Sequence, residues 1–377
     1  MKKVYWRPQS IPVVAFVLIA LFSIAGLAVV EHFKILVKRP YYREKLEASR
    51  LALEAMELLK NERLRRGIPI DPDVDPAYSG LIGSFVTPVT TDSGELEAKR
   101  TSINPNLAAA IVHLLKKERV KEGDVVAVGY SGSFPAVNIS VCAAIATLKL
   151  KPVIISSVGA SQWGANDPKF LWVDMESFLY GQGIFPFRSA AASMGGKSDR
   201  ARELTDSGRS LIREAIARNG LTPLEVRGVR KDIDERMRIY FTRVSPKVYI
   251  NVGGGVASAG IRPTKKLLKS GIVRKALPAG RGTDSVIHRF IDEGIPVIHI
   301  DNVKSFVRPY GFPVDPTVVP KVGEGTIFHE KQYNLWLAGI ILFGIVFGLY
   351  MFARVDWGFR LLKASSKQEV GPPEPMV

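Results

Sequence analysis

Cysteine is almost absent from this sequence, since Cys142 is the only one among 377 residues. An intramolecular disulfide is therefore excluded, and cysteine content does not identify the compartment. Cys142 lies in an apolar run, Val141–Ile145, where a small core residue is the simplest interpretation. Histidine is scarce as well, and no set of Cys and His residues has the spacing of metal ligands. The sequence thus predicts no structural zinc, no other metal and no cofactor.

Formal charge is missing from two long apolar runs, Ile11–Val30 and Leu335–Ala353. At about 1.5 Å of helix rise per residue, each run covers about 30 Å, which is the thickness of the hydrocarbon core of a bilayer. Aromatic residues typical of the membrane interface flank both runs: Tyr5, Trp6, Tyr333, Trp336 and Trp357. We predict two transmembrane helices, with a cleaved signal peptide as the alternative for the first run.

The two tails together carry nearly as many Lys and Arg residues as the two membrane-proximal ends of the central segment, so the positive-inside rule does not decide the orientation. A short basic tail before a first apolar run behaves as a signal anchor, and long domains are translocated largely regardless of charge. We therefore expect a protein of the cell (inner or plasma) membrane, with both termini cytoplasmic and the central domain extracytoplasmic. The expected segments are a cytoplasmic tail (1–10), a transmembrane helix (11–30), a stalk helix with a Pro-rich connector (31–76), an α/β domain (77–325), a juxtamembrane linker (326–334), a second transmembrane helix (335–353) and a basic, then disordered tail (354–377).

Positive charge exceeds negative charge over the chain as a whole. The formal net charge is +16, of which the first ten residues carry +3 and the tail from Arg354 carries +1, so the segment between them carries +12. A surplus of this size favours anionic partners such as a polyanion, phosphates or anionic lipid head groups. Solubility alone is the alternative explanation.

Short apolar runs alternate with amphipathic stretches over the central segment. The strand predictions are Leu81–Val86, Val125–Val128, Val153–Ser157, Val248–Val252 and Val297–Ile300. The helix predictions are Tyr41–Arg66, Asn104–Arg119, Ala136–Leu148, Lys169–Leu179, Asp199–Arg218, Pro263–Lys269 and Asp284–Glu293. The pattern predicts an α/β fold with a mostly parallel sheet and helices on both faces, flanked by the two transmembrane helices. Thr90–Gly94 has the composition of a turn.

The sharpest local motif is Gly129–Ser133, which lies between a predicted strand and a predicted helix. It is similar to the nucleophile elbow of serine hydrolases, although Ser133 replaces the final glycine. A catalytic Ser131 would need a base, for which His288 or His299 is the candidate, with Asp301 as the orienting acid. The alternatives are an anion cradle formed by Ser131, Gly132 and Ser133, and a purely structural turn.

Two further polar loops follow predicted strands. Ser156–Asp167 combines hydroxyls and amides with a tryptophan, which suits a polar ligand with a flat face, and its candidate ligand-binding residues are Ser157, Ser161, Trp163, Asn166 and Asp167. Asn251 precedes Gly253, Gly254 and Gly255, which would allow a ligand to approach the backbone closely. Because ligands of parallel sheets bind at the carboxyl ends of strands, we expect these loops to share one concave site.

A third glycine-rich segment, Ser193–Ser198, ends like a phosphate-binding loop. Ala191 stands where the leading glycine of that motif is required, so a nucleotide-binding P-loop is not predicted. We expect instead a turn in which Ser198 or Asp199 caps a long helix.

Four stretches together resemble the poly-γ-glutamate system protein family: Thr101–Ala109, Gly123–Pro135, Ser161–Asn166 and Asn251–Gly255. The resemblance extends from about Leu81 to Gly325. It implies a bacterial membrane protein of capsule-type poly-γ-glutamate biosynthesis, with the membrane subunits of the synthase, the anionic polymer and the lipid bilayer as partners, and no nucleic acid. It transfers no catalytic residue and does not predict the oligomeric state.

Three functions remain open at this point. The first is an accessory subunit that binds, guides or anchors the anionic polymer beside the synthase. The second is a serine-dependent amide hydrolase or transferase that acts on the polymer through Ser131. The third is a structural scaffold for the synthase complex. Enzymatic activity is not favoured, because the sequence offers oxyanion donors but no evident base.

Overall fold

The computed structural model describes residues 13–224, 228–242, 244–261, 265, 267–275 and 284–354. The chain divides into two compact units. One contains the two ends of the chain, up to Val37 and from His329 onward, and the other is Lys38–Phe328.

The secondary structure is numbered in chain order. The helices are α1 Val13–His32, α2 Tyr42–Arg65, α3 Leu96–Ser102, α4 Leu107–Lys117, α5 Pro135–Thr147, α6 Trp172–Gly181, α7 Asp206–Arg218, α8 Val229–Tyr240, α9 Val256–Ala259, α10 Val286–Asp292, α11 Val303–Val307 and α12 Leu335–Arg354. The strands are β1 Ile35–Lys38, β2 Thr90–Asp92, β3 Val125–Ser131, β4 Lys151–Ser157, β5 Ala160–Ser161, β6 Ala191–Ser193, β7 Thr222–Pro223, β8 Tyr249–Val252, β9 Gly271–Val273, β10 Val297–Ile300 and β11 His329–Gln332.

The terminal unit consists of two apolar helices and a small sheet. Helix α1 packs against α12, and β1 pairs with β11. Among the described residues, Leu335–Phe352 is the one helix long and apolar enough to cross a membrane, and the apolar stretch Phe16–His32 is shorter. Length and composition give only weak support for a span, because a buried core helix and a signal sequence meet the same test.

The larger unit is built on a seven-stranded sheet in the order β7-β6-β4-β3-β8-β10-β9. Every neighbouring pair is parallel except β10 and β9, which are antiparallel. The predicted α/β fold with a mostly parallel sheet is therefore confirmed. Four of the five predicted strands are present, and β3 and β4 extend beyond their predicted bounds.

Helices cover both faces of this sheet. On one face, Val126 and Val128 of β3 contribute to a core shared with α2, α4, α5 and α6. On the other, Ala127 and Tyr249 belong to a second core with α8, α9 and α10. Burial on both faces explains why the central strands are continuous β-branched runs rather than alternating ones.

The helix expected to be a stalk, α2, is a layer of the α/β unit. Its residues Ala48, Ala52, Ala55 and Leu59 are fully buried and pack in the core beside α4 and α5. The sequence predicts a stalk because this helix follows the first apolar run and has charges between its larger apolar residues, of which Leu64 is 41% exposed. The buried stripe consists mostly of alanines, which let helices approach closely but give a weak hydrophobic signal.

Two local predictions are wrong. Leu81–Val86 forms no strand, and Gly83 N instead donates to the Trp163 carbonyl across a loop. The predicted turn at Thr90–Gly94 contains strand β2, which pairs with β5.

The long helix predicted from Asp199 begins only at Asp206. Thr205 caps it by accepting a hydrogen bond from Gly208 N, and Lys197–Asp199 is a separate 3-10 turn. Among the elements that were not predicted are strands β6, β7 and β9 of the large sheet and helix α8. Of the predicted helix Pro263–Lys269, residues 263, 264 and 266 lie outside the described residues, and 267–269 are not helical.

Candidate functional site

Three serines stand in line at the ends of neighbouring strands. Ser131, Ser157 and Ser193 are the last residues of β3, β4 and β6, and the sheet register makes them successive Cα partners. Partners in a parallel sheet point to the same face, and adjacent strands lie about 4.8 Å apart. The register therefore assembles a row of hydroxyls at the carboxyl edge of the sheet. Ser193 is buried, whereas Ser131 and Ser157 are partly exposed.

The loop after β8 adjoins this row. Gly253 has φ +84°, and a Cβ there would come within 2.9 Å of Ser131 Cβ. Glycine is thus required both by the backbone conformation and by the close approach. At Gly254 a Cβ would meet Lys265 Nζ at 1.9 Å and Asp301 Oδ1 at 2.9 Å, and these two side chains form an ion pair at 3.4 Å.

The loop after β4 packs onto the loop after β3. Gly132 N donates to the Ser157 carbonyl at 2.9 Å, and Ser161 N donates to Ser133 Oγ at 3.0 Å. Ala165 N reaches the Gly132 carbonyl at 2.8 Å. The three loops singled out in the sequence therefore lie together at one edge of the sheet.

The two predicted asparagines are occupied within the protein. Asn166 is fully buried and bonds through its amide to both backbone atoms of Ser84 and to Thr90 Oγ1. Asn251, also fully buried, accepts from Tyr249 OH and donates to the Gly253 carbonyl. Both side chains hold loops in place.

Trp163 and Asp167 of the loop after β4 are partly exposed. Trp163 has a left-handed backbone (φ 55°), and its ring lies 5.2 Å from that of Phe85, which is 59% exposed. Asp167 accepts a hydrogen bond from Lys169 N. The pair of Trp163 and Phe85 gives this loop an exposed aromatic surface.

The residues proposed as a catalytic set do not come together. Ser131 Oγ accepts a hydrogen bond from Ser133 N at 3.2 Å and bonds to neither histidine. His299 is fully buried beside Asn251 Nδ2 at 3.0 Å, and burial lowers its pKa to about 4. His288 Nδ1 lies 2.6 Å from Ser285 Oγ. Within the described part of the chain, no base reaches Ser131.

A buried ionic cluster backs the row of serines, and the sequence did not predict it. Arg236, 1% exposed, donates to Ser193 Oγ at 2.7 Å and to Asp199 Oδ2 at 2.6 Å, and it lies 3.4 Å from Asp232 Oδ2. Burial raises the pKa of Asp232 to about 8, and Arg236 offsets only part of this effect. Although burial alone would lower the pKa of Arg236, Asp199 and Asp232 raise it. The Asp232/Arg236 spacing of four residues was the available sequence signal.

A second buried cation, Lys99, contacts the loops after β3 and β4. It is 2% exposed, donates to the Ser133 carbonyl and, at 2.8 Å, to Ser161 Oγ. Its Nζ also lies 3.9 Å from the centre of the Phe134 ring. Burial lowers the pKa of Lys99 to about 7, and the charge of Asp301 raises it only partly back.

Neither of the two cavities described gives the predicted residues a ligand-sized site. One of about 690 Å³ is lined by residues of α8, α9, α10 and their flanks: Val229, Arg230, Ile233, Val256, Gly260, Ile261, Asp284 and Arg289. Another, beside Asn166 and Asp167, has only about 10 Å³ and is too small for a ligand larger than water. No three His, Cys, Asp or Glu side chains of the described ranges are grouped to hold a metal ion.

Comparisons of the chain with protein-family models, with curated proteins and with solved structures each return no match. No family is therefore assigned to it.

Proposed function

We propose that this protein is a membrane-anchored accessory component of poly-γ-glutamate biosynthesis or export, and that its α/β unit binds or guides the anionic polymer beside the synthase. The pathway comes from the family resemblance of the sequence. The site comes from the carboxyl edge of the sheet, where the loops after β3, β4 and β8 meet.

The observation that carries the binding site is the set of donors at this edge. Ser131 Oγ accepts from Ser133 N, so its own proton remains available, and it has no acceptor among the described residues. The backbone N–H groups of Gly254 and Gly255 likewise donate to no residue that the structure describes. Hydroxyl and backbone N–H groups after a parallel strand are the donors that bind carboxylates and phosphates.

Charge supports the same proposal. The segment between the tails carries +12, and Lys265 lies beside the Gly254 backbone. A positive surface raises the local concentration of a polyanion and speeds its capture. Binding of this kind weakens as salt screens the charges.

We further propose that α1 and α12 cross the membrane, with both termini cytoplasmic and the α/β unit outside. Ser93 is exposed on that unit and Cys142 is buried. In a Cys142→Ala background, Ser93→Cys should react with a membrane-impermeant maleimide in intact cells. Labelling that requires lysis would reverse the topology.

Polymer binding is testable with the full chain in detergent and fluorescently labelled poly-γ-glutamate. We expect saturable binding at low salt that weakens as salt is added. Ser131→Ala should weaken it by about 2- to 10-fold if the lost hydrogen bond is neutral, and by up to about 100-fold if it is charge-assisted. Ser210→Ala, at an exposed position of α7, is the matched control. The absence of wild-type binding, or equal binding by Ser131→Ala, would contradict the proposed site.

An enzymatic role would give a different result. A nucleophilic Ser131 should react with a serine-directed fluorophosphonate, and Ser131→Ala should lose several powers of ten in rate. We expect no labelling, because no base hydrogen-bonds to this serine within the described part of the chain. Stoichiometric labelling that disappears in Ser131→Ala would establish the enzyme.

A further inference from the structure

The row of serines has a fixed direction of hydrogen bonding, and this direction bears on the proposed binding site. Ser193 Oγ contacts three groups: Arg236 Nη2 at 2.7 Å, Asp199 Oδ1 at 3.0 Å and Ser157 Oγ at 3.1 Å. An arginine only donates, and an ionised aspartate only accepts. The single proton of Ser193 therefore goes to Asp199.

Ser157 must then donate its own proton to Ser193, because Ser193 has no second proton to give. This leaves Ser157 Oγ with lone pairs alone on its open side. Ser131 has the opposite polarity, since its oxygen accepts from Ser133 N and its proton is free. The two residues are Cα partners in adjacent strands, so a donor and an acceptor stand side by side about 4.8 Å apart.

The buried cluster prevents this polarity from reversing. Arg236 is 1% exposed and Asp199 is 7% exposed, and each holds the other with a bond of 2.6 Å. If the Ser193 hydroxyl turned away from Asp199, an oxygen of that buried carboxylate would lose its hydrogen-bond donor, which is costly. The acceptor character of Ser157 is thus set by groups that the ligand does not touch.

A side-by-side donor and acceptor selects among ligand groups. A carboxylate can only accept, so it satisfies Ser131 and opposes the lone pairs of Ser157. An ammonium group can only donate and satisfies Ser157 alone. An amide carries both a carbonyl acceptor and an N–H donor.

On the basis of the proposed function, we infer that the carboxyl edge recognises amide groups of the bound polymer as well as its charge. Ser131 donates to an amide carbonyl, and Ser157 accepts from an amide N–H. Because the C=O and N–H of a trans amide point in opposite directions, the two serines contact successive amide groups of one chain. The ligand class is therefore an anionic polyamide rather than a polyanion of any backbone.

Two polymers separate these possibilities. Poly-γ-glutamate has amides and carboxylates, whereas polyacrylate of matched length has carboxylates without amides. With the full chain in detergent, the wild type should bind poly-γ-glutamate more tightly than polyacrylate at equal salt. Ser157→Ala should weaken poly-γ-glutamate binding by about 2- to 10-fold, the equivalent of one neutral hydrogen bond, and should not weaken polyacrylate binding.

Two matched variants complete the test. Ser131→Ala removes a donor that either polymer can use, so it should weaken both. Ser157→Thr keeps the hydroxyl, so it should keep the preference for the polyamide. Equal wild-type affinity for the two polymers, or an equal loss for both in Ser157→Ala, would overturn the amide inference while leaving polyanion binding in place. Failure to bind either polymer would overturn the proposed function and the inference together.

Discussion

The carboxyl edge of the sheet is supported by two buried cations whose surroundings differ sharply. Arg236 lies against two carboxylates, Asp199 and Asp232. Lys99 donates to a carbonyl and a hydroxyl, and none of its hydrogen bonds is to a carboxylate. Both side chains hold serines of the edge loops, Ser193 in the first case and Ser161 in the second.

The difference shows how a buried cation keeps or loses its proton. Burial disfavours the charged form of both side chains, and only a nearby opposite charge offsets that cost. Arg236 has this compensation and stays charged, and its planar group can bond Asp199 and Ser193 together. For Lys99 the charge of Asp301 offsets only a small part of the cost, so its pKa falls to about 7. The edge thus combines one permanent charge with one that responds to pH near neutrality.

The largest expected effect comes from removing the carboxylate closest to Arg236. Asp199→Asn removes the carboxylate that bonds Arg236 at 2.6 Å and leaves the buried guanidinium with Asp232 alone, at 3.4 Å. Breaking one side of a buried ion pair in this way should cost about 3–5 kcal/mol of folding stability. Urea unfolding of the full chain in detergent, followed by tryptophan fluorescence, measures the loss.

Asp232→Asn is the matched control on the same arginine. The folded pKa of Asp232, about 8, lies above its ordinary value of 3.8, so between these values the folded state holds a proton that the unfolded state has lost. Wild-type stability therefore falls as pH rises through this window, and the asparagine variant lacks that fall. The free energy of unfolding of Asp232→Asn should equal that of the wild type at acidic pH and exceed it increasingly toward pH 8. A loss at pH 7 as large as that of Asp199→Asn would break the distinction between the two carboxylates.

Neither buried cation was recognisable from the sequence, although the edge that they support was. The strands β3, β4, β8 and β10 were predicted because burial on both faces leaves long β-branched runs. Parallel topology then places the loops that follow them at one edge. These two rules are enough to predict from the sequence that Ser131, Ser157 and Gly253 lie close together.

The hydrogen-bonding roles at the edge depend on information that the local sequence does not contain. Asp232 and Arg236 look like the solvated charges of any amphipathic helix, and only the packing of α8 buries them. The row formed by Ser131, Ser157 and Ser193 requires the register of three strands, one of which is only three residues long. The alanine stripe of α2 also was not recognised from the sequence, because alanines stabilise this helix through close packing against its neighbours and give only a weak hydrophobic pattern.

The smallest expected effect comes from the protonation of Lys99. Its folded pKa of about 7 lies below the ordinary value of 10.5, so between these values the unfolded state binds more protons than the folded state. Stability due to this group therefore rises with pH across the window, by up to about 1.4 kcal/mol per pH unit. Lys99→Met removes the titrating group, so the stability of the wild type relative to this variant should increase from about pH 7.5 to about pH 9.5.

Lys304→Met is the matched control, because Lys304 is paired with Glu95 and Glu97 and their hydrogen bonds raise its pKa. The urea midpoint of this control should change with pH as that of the wild type does over the same range. If the midpoint of Lys99→Met also changed with pH as that of the wild type does, the buried lysine would keep its charge without a hydrogen-bonded carboxylate.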